Sequence, residues 1–103
     1  MIRHVVLLKP AADATAGAVA AALAGVVALK GVIPGVLAVR TGPNVSPEGL
    51  GRGYTQGFVV DFADAAARDA YLPHPAHQTA GAALVAVAEG GIEGILVFDL
   101  EMG

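Results

Sequence analysis

The amino-acid sequence predicts one α+β domain with the element order βαββαβ. Three observations lead to this fold class. Four short apolar segments have the length expected of strands. One helical region follows the first segment and another follows the third, and Gly or Pro marks the boundaries. A length of 103 residues suits a single domain that spans residues 1–103.

The first strand is expected over residues 2–9, where an apolar run ends before Pro10. Successive side chains of a strand point to opposite faces. The run is apolar on both faces, so a helical layer is expected on one face and a second sheet on the other. One face carries Ile2, His4, Val6 and Leu8, and the other carries Val5 and Leu7.

The first helix follows, and either Asp13 or Thr15 can cap its start. Helical spacing places Val19, Leu23, Val26, Val27 and Lys30 on one face. Gly31 is expected to end this helix in a left-handed conformation. The Ile-Pro-Gly segment at residues 33–35 is expected to turn the chain into the second strand.

The second and third strands are expected over residues 36–41 and 54–62. Between them, residues 42–53 are rich in Gly and Pro and predict a surface loop without a phosphate-binding motif. The third strand alternates, so that Tyr54, Gln56, Phe58, Val60 and Phe62 share one face and Thr55, Gly57, Val59 and Asp61 share the other.

The second helical region is expected to be broken. Asp64 can cap a helix over residues 65–72, and Pro73 and Pro75 interrupt it. A last helix is expected over residues 76–89, where Gly90 and Gly91 end it, and the fourth strand over residues 92–100.

This order predicts a ferredoxin-like subunit, with helices on one face of a four-stranded antiparallel sheet and strands one and three adjacent and parallel at its centre. The other face remains apolar, and 55% of the residues are hydrophobic against 15% charged. We therefore expect two sheets to pair in a homodimeric α+β barrel.

The composition excludes several classes of function. The net charge is −3 and the six Lys and Arg residues are scattered, so the basic surface of a nucleic-acid-binding protein is missing. The chain has no Cys, which fits a cytoplasmic location. The uncharged stretch 14–29 is too rich in Ala and Gly for a membrane span, and Lys9, Pro10 and Asp13 interrupt a secretory signal.

The candidate site residues are polar side chains in apolar surroundings. They are His4, Gln56, Tyr71 and His77, which we expect to meet near one end of the sheet. A His can exchange a proton at neutral pH and a Tyr hydroxyl can donate to a carbonyl oxygen, so the set suits proton abstraction next to a carbonyl. Three of them also have structural interpretations. His4 can be a hydrogen-bonded strand His, Tyr71 a core aromatic, and His77 a residue at a helix start that bonds backbone groups.

Metal binding is not expected. His74 and His77 are spaced like a ligand pair, but no carboxylate or Cys lies nearby and a proline separates them. No organic cofactor is expected either, because Gly-rich phosphate motifs are missing. Asp61, Asp64 and Asp69 are expected to serve in capping and solvation.

Several segments together resemble the stress-responsive A/B barrel (Dabb) family. They are HVVLLK at 4–9, IPGV at 33–36, GPNVS at 42–46, GYT at 53–55, the F-x-D pattern at 62–64, YLPHPAH at 71–77 and VFD at 97–99. The segment YLPHPAH is the most specific. The resemblance implies a ferredoxin-like homodimer, and many members are small stress-induced proteins of undefined activity.

The resemblance also implies site roles. A plant polyketide cyclase of this family performs an aldol cyclisation without a cofactor. By that likeness His77 is the general base, Tyr71 is its hydrogen-bonding partner, and His4 belongs to the same site. Gln56 stands where the cyclase has a His, so it can bind a ligand but cannot titrate. Leu23 and Val26, in a small-residued helix wall with Ala22, are the other expected ligand contacts.

Three functions stay open. The first is a small apolar cavity between sheet and helices that binds a compact organic ligand, with cyclase or isomerase activity through His77 and Tyr71. The second is a non-catalytic homodimeric stress-response or structural protein. The third, a heme-free monooxygenase, is disfavoured because the chain has no Trp and few aromatic residues.

Overall fold

The computed structural model describes residues 1–103 as seven main elements around one sheet. The strands are β1 (Ile2–Leu8), β2 (Val36–Pro43), β3 (Gln56–Phe62) and β4 (Ile95–Glu101), and the helices are α1 (Ala16–Val27), α2 (Ala65–Tyr71) and α3 (Pro75–Val87). Short 3₁₀ turns at Ala28–Gly31 and Gly91–Gly94 precede β2 and β4. The predicted βαββαβ order and the broken second helix are therefore confirmed, with element ends shifted by one to three residues.

The strands lie in the order β2-β3-β1-β4, and every neighbouring pair is antiparallel. The expectation that strands one and three run parallel is wrong. A crossover helix makes β2 run in the same direction as β1, and the hairpin after β2 then reverses β3. The third strand must therefore oppose the first, as it does in a fully antiparallel ferredoxin-like sheet.

Side chains cap the start of each helix. Thr15 accepts a hydrogen bond from the Ala18 N–H at 3.1 Å, which selects Thr15 rather than Asp13 as the cap of α1. The Asp64 carboxylate caps α2 in the same way, as predicted. At α3 the cap is His74, and Pro75 is the first helical residue, where its missing N–H costs nothing.

The predicted turn at residues 33–35 precedes β2, but Gly31 does not take the predicted left-handed conformation. Gly31 belongs to the 3₁₀ turn and has no positive φ, whereas Gly35 has a φ of 89°. The tightened last turn already ends α1, so no left-handed residue is needed there.

The core lies between the helices and one face of the sheet. Val6, Leu8, Val60 and Phe62 are buried there against α1 and α3. On α1 the buried face is rotated from the predicted one, because Ala22 is buried while Val27 and Lys30 are exposed. No helix is long and apolar enough to cross a membrane.

The opposite face of the sheet, here called the open face, carries no helix. The strand registers arrange it in three rows from β4 to β2. The first row is Leu100, Arg3, Asp61 and Ala38, the second is Phe98, Val5, Val59 and Arg40, and the third is Leu96, Leu7, Gly57 and Gly42. Nine of these positions carry no charge, and Phe98 is 57% exposed, so the predicted apolar second face is present.

Candidate functional site

His4 lies in the middle of the sheet with its ring under the helices. It is 5% exposed, and its register partner in β4 is Asp99. The His4 Nδ1 lies 2.6 Å from the Asp99 Oδ1. An ionised carboxylate only accepts hydrogen bonds, so Nδ1 carries the proton and donates it to Asp99. In the neutral ring, Nε2 is then left as an acceptor.

Arg68 of α2 holds the other oxygen of that carboxylate. Its Nη1 donates to the Asp99 Oδ2 at 3.2 Å, and its Nε donates to Asp69 at 3.1 Å. The carboxylates of Asp69 and Asp99 raise the pKa of Arg68 above its usual value. Charge-assisted hydrogen bonds therefore run from the His4 ring through Asp99 to Arg68 of α2. Together they fix the orientation of the His4 ring.

His77 lies in the first turn of α3 and closes the break between the two helices. Its Nδ1 lies 2.8 Å from the Leu72 carbonyl oxygen, which follows the last residue of α2. A carbonyl can only accept, so Nδ1 is the protonated nitrogen of the neutral ring and Nε2 is free to accept a proton. The bond also satisfies a carbonyl that the end of α2 leaves without a helical partner.

The Tyr71 ring lies close to the rings of both His77 and His4. Its ring centroid lies 4.4 Å from that of His77 and 6.2 Å from that of His4, and it packs edge-on against Phe62 at 4.9 Å. Tyr71 is 1% exposed. Burial raises the pKa of Tyr71 to about 12, so its hydroxyl is neutral at physiological pH. The contact with His77 is between rings, and no hydrogen bond joins the two side chains.

A cavity of about 550 Å³ opens beside this cluster, between the sheet, α2 and α3. His4 and His77 both line it, together with Arg68, Asp69 and Asp99, whereas Tyr71 is not part of its lining. Most of the other wall is apolar, from Val6, Phe58, Leu72, Leu84, Val85, Ile92, Ile95 and Val97. Such a volume and such a lining are typical of sites for small organic molecules.

The structure therefore brings together three of the predicted site residues, His4, Tyr71 and His77. Gln56 lies elsewhere. It pairs with Leu8, four residues along β1 from His4, or roughly 13 Å at the usual rise of a strand. The expectation that Gln56 lies beside His4 is wrong, because the antiparallel register places Val60 opposite His4.

The two predicted wall residues of α1 are also remote from the cavity. Leu23 lines a separate cleft of about 340 Å³ with Gln56, and Val26 is buried in the core. A ligand in the cavity beside His4 and His77 would not touch any of these three side chains.

Sequence reasoning missed Asp99 and Arg68. Neither residue is among the predicted site residues, yet Asp99 in β4 lies directly opposite His4 on the same face of the sheet. The alternation of side chains along β4 assigns Asp99 to one face of that strand. Only a known register between β1 and β4 shows that Asp99 is the residue opposite His4. Asp64 acts as a cap, as expected, whereas Asp61 and Asp69 form ion pairs with Arg3 and Arg68.

His, Asp and Glu side chains do not gather anywhere in groups of three or more that could hold a metal ion. His74 caps α3 through its Nδ1, and His77 uses its Nδ1 on Leu72, so the two imidazoles serve different backbone groups.

Similar solved structures share this fold over nearly their full length. A dimeric ferredoxin-like protein of unknown function from Jannaschia sp. CCS1 is 40% identical, with 98% of each chain covered and a TM-score of 0.89. The Arabidopsis thaliana protein At3g17210 is 25% identical, with 100% of this chain and 96% of that chain covered and a TM-score of 0.90. A hydroxynitrile lyase from Passiflora edulis, at 16% identity, covers 99% and 93% with a TM-score of 0.87, which shows a common fold.

No curated protein matches the chain. The family model of the stress responsive A/B barrel domain matches residues 2–102, which is almost the whole sequence. This match confirms the family resemblance that the segments from HVVLLK to VFD suggested. The chain therefore belongs to the stress responsive A/B barrel domain (Dabb) family.

Proposed function

We propose that the protein binds a compact organic carbonyl compound in the 550 Å³ cavity and acts on it without a cofactor, with His77 as the base. One observation carries this proposal. Two imidazoles line one apolar cavity, and each has its Nδ1 engaged by a protein acceptor, which leaves Nε2 for a ligand. Two imidazole nitrogens that can accept a proton, in a largely apolar wall, suit the removal of a proton from a carbon atom of a ligand.

The proposed reaction is an intramolecular aldol closure or an isomerisation. The His77 Nε2 removes a proton from the carbon next to a carbonyl, which leaves an enolate and an imidazolium. The enolate carbon forms a bond to a second carbonyl carbon of the same molecule, and the resulting alkoxide takes the proton back. In an isomerisation, the proton returns to a different carbon instead.

The other side chains orient the two imidazoles rather than react. Tyr71 packs against the His77 ring and fixes its tilt, since its hydroxyl stays neutral and lies outside the cavity lining. Asp99 and Arg68 fix the tautomer and the rotation of His4. This role for Tyr71 differs from donation to the substrate oxygen, which the sequence suggested.

The test is hydrogen exchange on a simple probe. Acetophenone in D₂O, followed by proton NMR, should lose its methyl protons faster with the protein than with buffer containing equal free imidazole. His77→Gln should slow the protein-dependent exchange by ~10²–10⁴-fold, the usual contribution of a positioned base.

His74→Asn is the matched control for this experiment. It also removes an imidazole, but one outside the cavity, and Asn preserves the helix cap. Equal loss in both variants would contradict the proposal. Acetophenone bound at ~100 times its Kd should add about 2.7 kcal/mol to the free energy of unfolding, which detects binding without turnover.

A second candidate is a non-catalytic homodimer, and one observation favours it. Both histidines already have structural bonds, to Asp99 and to the Leu72 carbonyl. Absence of both exchange and binding, over a panel of aryl ketones and linear polyketones, would favour this candidate.

We propose a homodimer under either function. Support comes from the open face with its exposed Leu96, Phe98 and Leu100, and from the 40% identical structure, which is described as dimeric. Contiguous apolar surface of this kind marks association sites.

A further inference from the structure

The cavity proposed as the ligand site has two levels along the strands. The polar level is the register row that pairs His4 with Asp99. The next row on that face pairs Val6 with Val97 and with Phe58, and all three line the cavity. Successive rows on one face of a sheet are two residues, or about 7 Å, apart. An apolar level therefore begins one row beyond His4.

Helix α3 runs in the same direction as β1, so its side of the cavity follows the same two levels. At one end, the Glu89 N–H donates to the Lys9 carbonyl at 2.8 Å, which joins the chain just after α3 to the chain just after β1. At the other end, the centroids of the His77 and His4 rings lie 4.4 and 6.2 Å from that of Tyr71. The helix therefore leads from the polar level to the apolar level.

Gly81 is the residue of α3 that lies one turn beyond His77. Four residues of helix rise about 6 Å, so Gly81 lies near the apolar level. His77 and Val85, each about 40° around the helix from Gly81 on opposite sides, both line the cavity, as Gly81 does. A Cβ at Gly81 would therefore point into the cavity. Such a Cβ would meet nothing within 4 Å, so the wall has a gap at this position, here called the Gly81 recess.

We propose that Gly81 determines which ligands the cavity accepts, because the Gly81 recess makes room for an aryl group on the carbonyl compound that His77 deprotonates. This inference rests on the proposed function and names the substrate class as aryl ketones. The recess lies about 6 Å along α3 from His77, which is farther than a methyl substituent on the carbonyl extends. Phe58 lines the same level, and aromatic rings attract each other in offset or edge-on arrangements.

Nothing within the subunit requires glycine at position 81. Its φ is not positive, and space exists for a methyl group. Glycine in the interior of a helix is less stable than alanine, so the chain gives up stability at this position. The space that an added methyl group would fill is space for a ligand. Gly25 in α1 has the same open surroundings but lies outside the cavity, so it provides the matched control.

The test compares two ketones of different size in the parent, Gly81→Ala, Gly81→Val and Gly25→Ala. Methyl-proton exchange of acetone and of 2-acetonaphthone in D₂O is followed by proton NMR, and each rate is divided by the rate with equal free imidazole. The parent should prefer 2-acetonaphthone. Gly81→Val should reduce that preference at least tenfold and Gly81→Ala by less, whereas Gly25→Ala should keep the preference of the parent.

Urea titration separates this effect from damage to the fold. Gly81→Ala should unfold at a higher urea concentration than the parent, as Gly25→Ala should, so a lost preference cannot come from a weakened helix. An unchanged preference in Gly81→Val, or an equal loss in Gly25→Ala, would overturn the inference.

Binding of 2-acetonaphthone, measured by calorimetry, separates this inference from the proposed reaction. Tenfold weaker binding by Gly81→Val, in a protein whose parent exchanges no protons, would support the Gly81 recess and refute catalysis. Exchange by the parent without any preference for 2-acetonaphthone would support catalysis and refute the Gly81 recess. A parent that neither binds nor exchanges either ketone would refute both.

Discussion

The burial of Tyr71 links the candidate site to stability at high pH. An unfolded Tyr titrates near ~10, whereas burial raises the pKa of Tyr71 to about 12. Stability from this group is therefore complete below pH ~10 and is lost as the pH rises through 12. Tyr71→Phe should flatten the fall in unfolding free energy between pH 10 and 12, measured by urea titration.

Tyr54→Phe is the matched control for that titration, because it removes the other Tyr hydroxyl of the chain, on a residue that is only half-buried. The same flattening in both variants would contradict the assignment to Tyr71. Loss of native circular dichroism in Tyr71→Phe at pH 7 would show instead that the hydroxyl itself is needed for folding.

Single residues show how far sequence reasoning reached in the site. The break at Pro73 and Pro75 made it possible to predict that Tyr71 and His77 turn back toward the sheet near His4. Asp99 and Arg68 could not be placed, because their roles depend on a register between strands 95 residues apart. Gln56 was misplaced for the same reason, since periodicity assigns a residue to a face but not to a position along the sheet.

At the scale of elements, Ala substitutions at two glycines should change the unfolding free energy in opposite directions. Gly35 has a φ of 89°, and an added Cβ would lie 3.0 Å from the Cβ of Ala67. Gly35→Ala should therefore cost about 1–3 kcal/mol of unfolding free energy, from a strained backbone and a close contact with α2. Gly25 lies exposed in the interior of α1, with open space around it.

Gly25→Ala should therefore raise the unfolding free energy by about 0.5–1 kcal/mol, because Ala restricts the unfolded chain. Urea titration of both variants checks the pair. Equal effects of the same sign would show that the reversal before β2 does not depend on a left-handed residue. The sequence marked the turn at residues 33–35 correctly, but it could not tell that Gly31 would stay within a 3₁₀ turn.

For the whole molecule, the Arg3–Asp61 pair predicts behaviour in acid. The hydrogen bond from Arg3 holds the pKa of Asp61 below its usual value, with a smaller effect of the charge on Arg40. Stability from this group is present above the unfolded pKa of ~3.9 and is lost as the pH falls through the lower folded pKa. The unfolding free energy, and with it the proposed homodimer, should decline below pH ~4.

Asp61→Asn should make that decline shallower, and it should lower stability at pH 7 by leaving two cations together. Asp13→Asn, which changes an exposed carboxylate outside every ion pair, is the control. Sedimentation and denaturant titration between pH 2.5 and 7 measure both effects. If the unfolding free energy of Asp61→Asn falls with pH as steeply as that of the parent, the Arg3–Asp61 pair does not cause the loss of stability in acid.

The hydrogen bond between His4 and Asp99 has a further consequence, for the time course of folding. It joins residues 95 positions apart, on the first and the fourth strand of the sheet. A hairpin of β2 and β3 can form early, but contacts that close so long a loop form late. The cavity beside His4 therefore forms only in chains that have completed their fold, and a ligand bound there should slow global unfolding rather than a local opening.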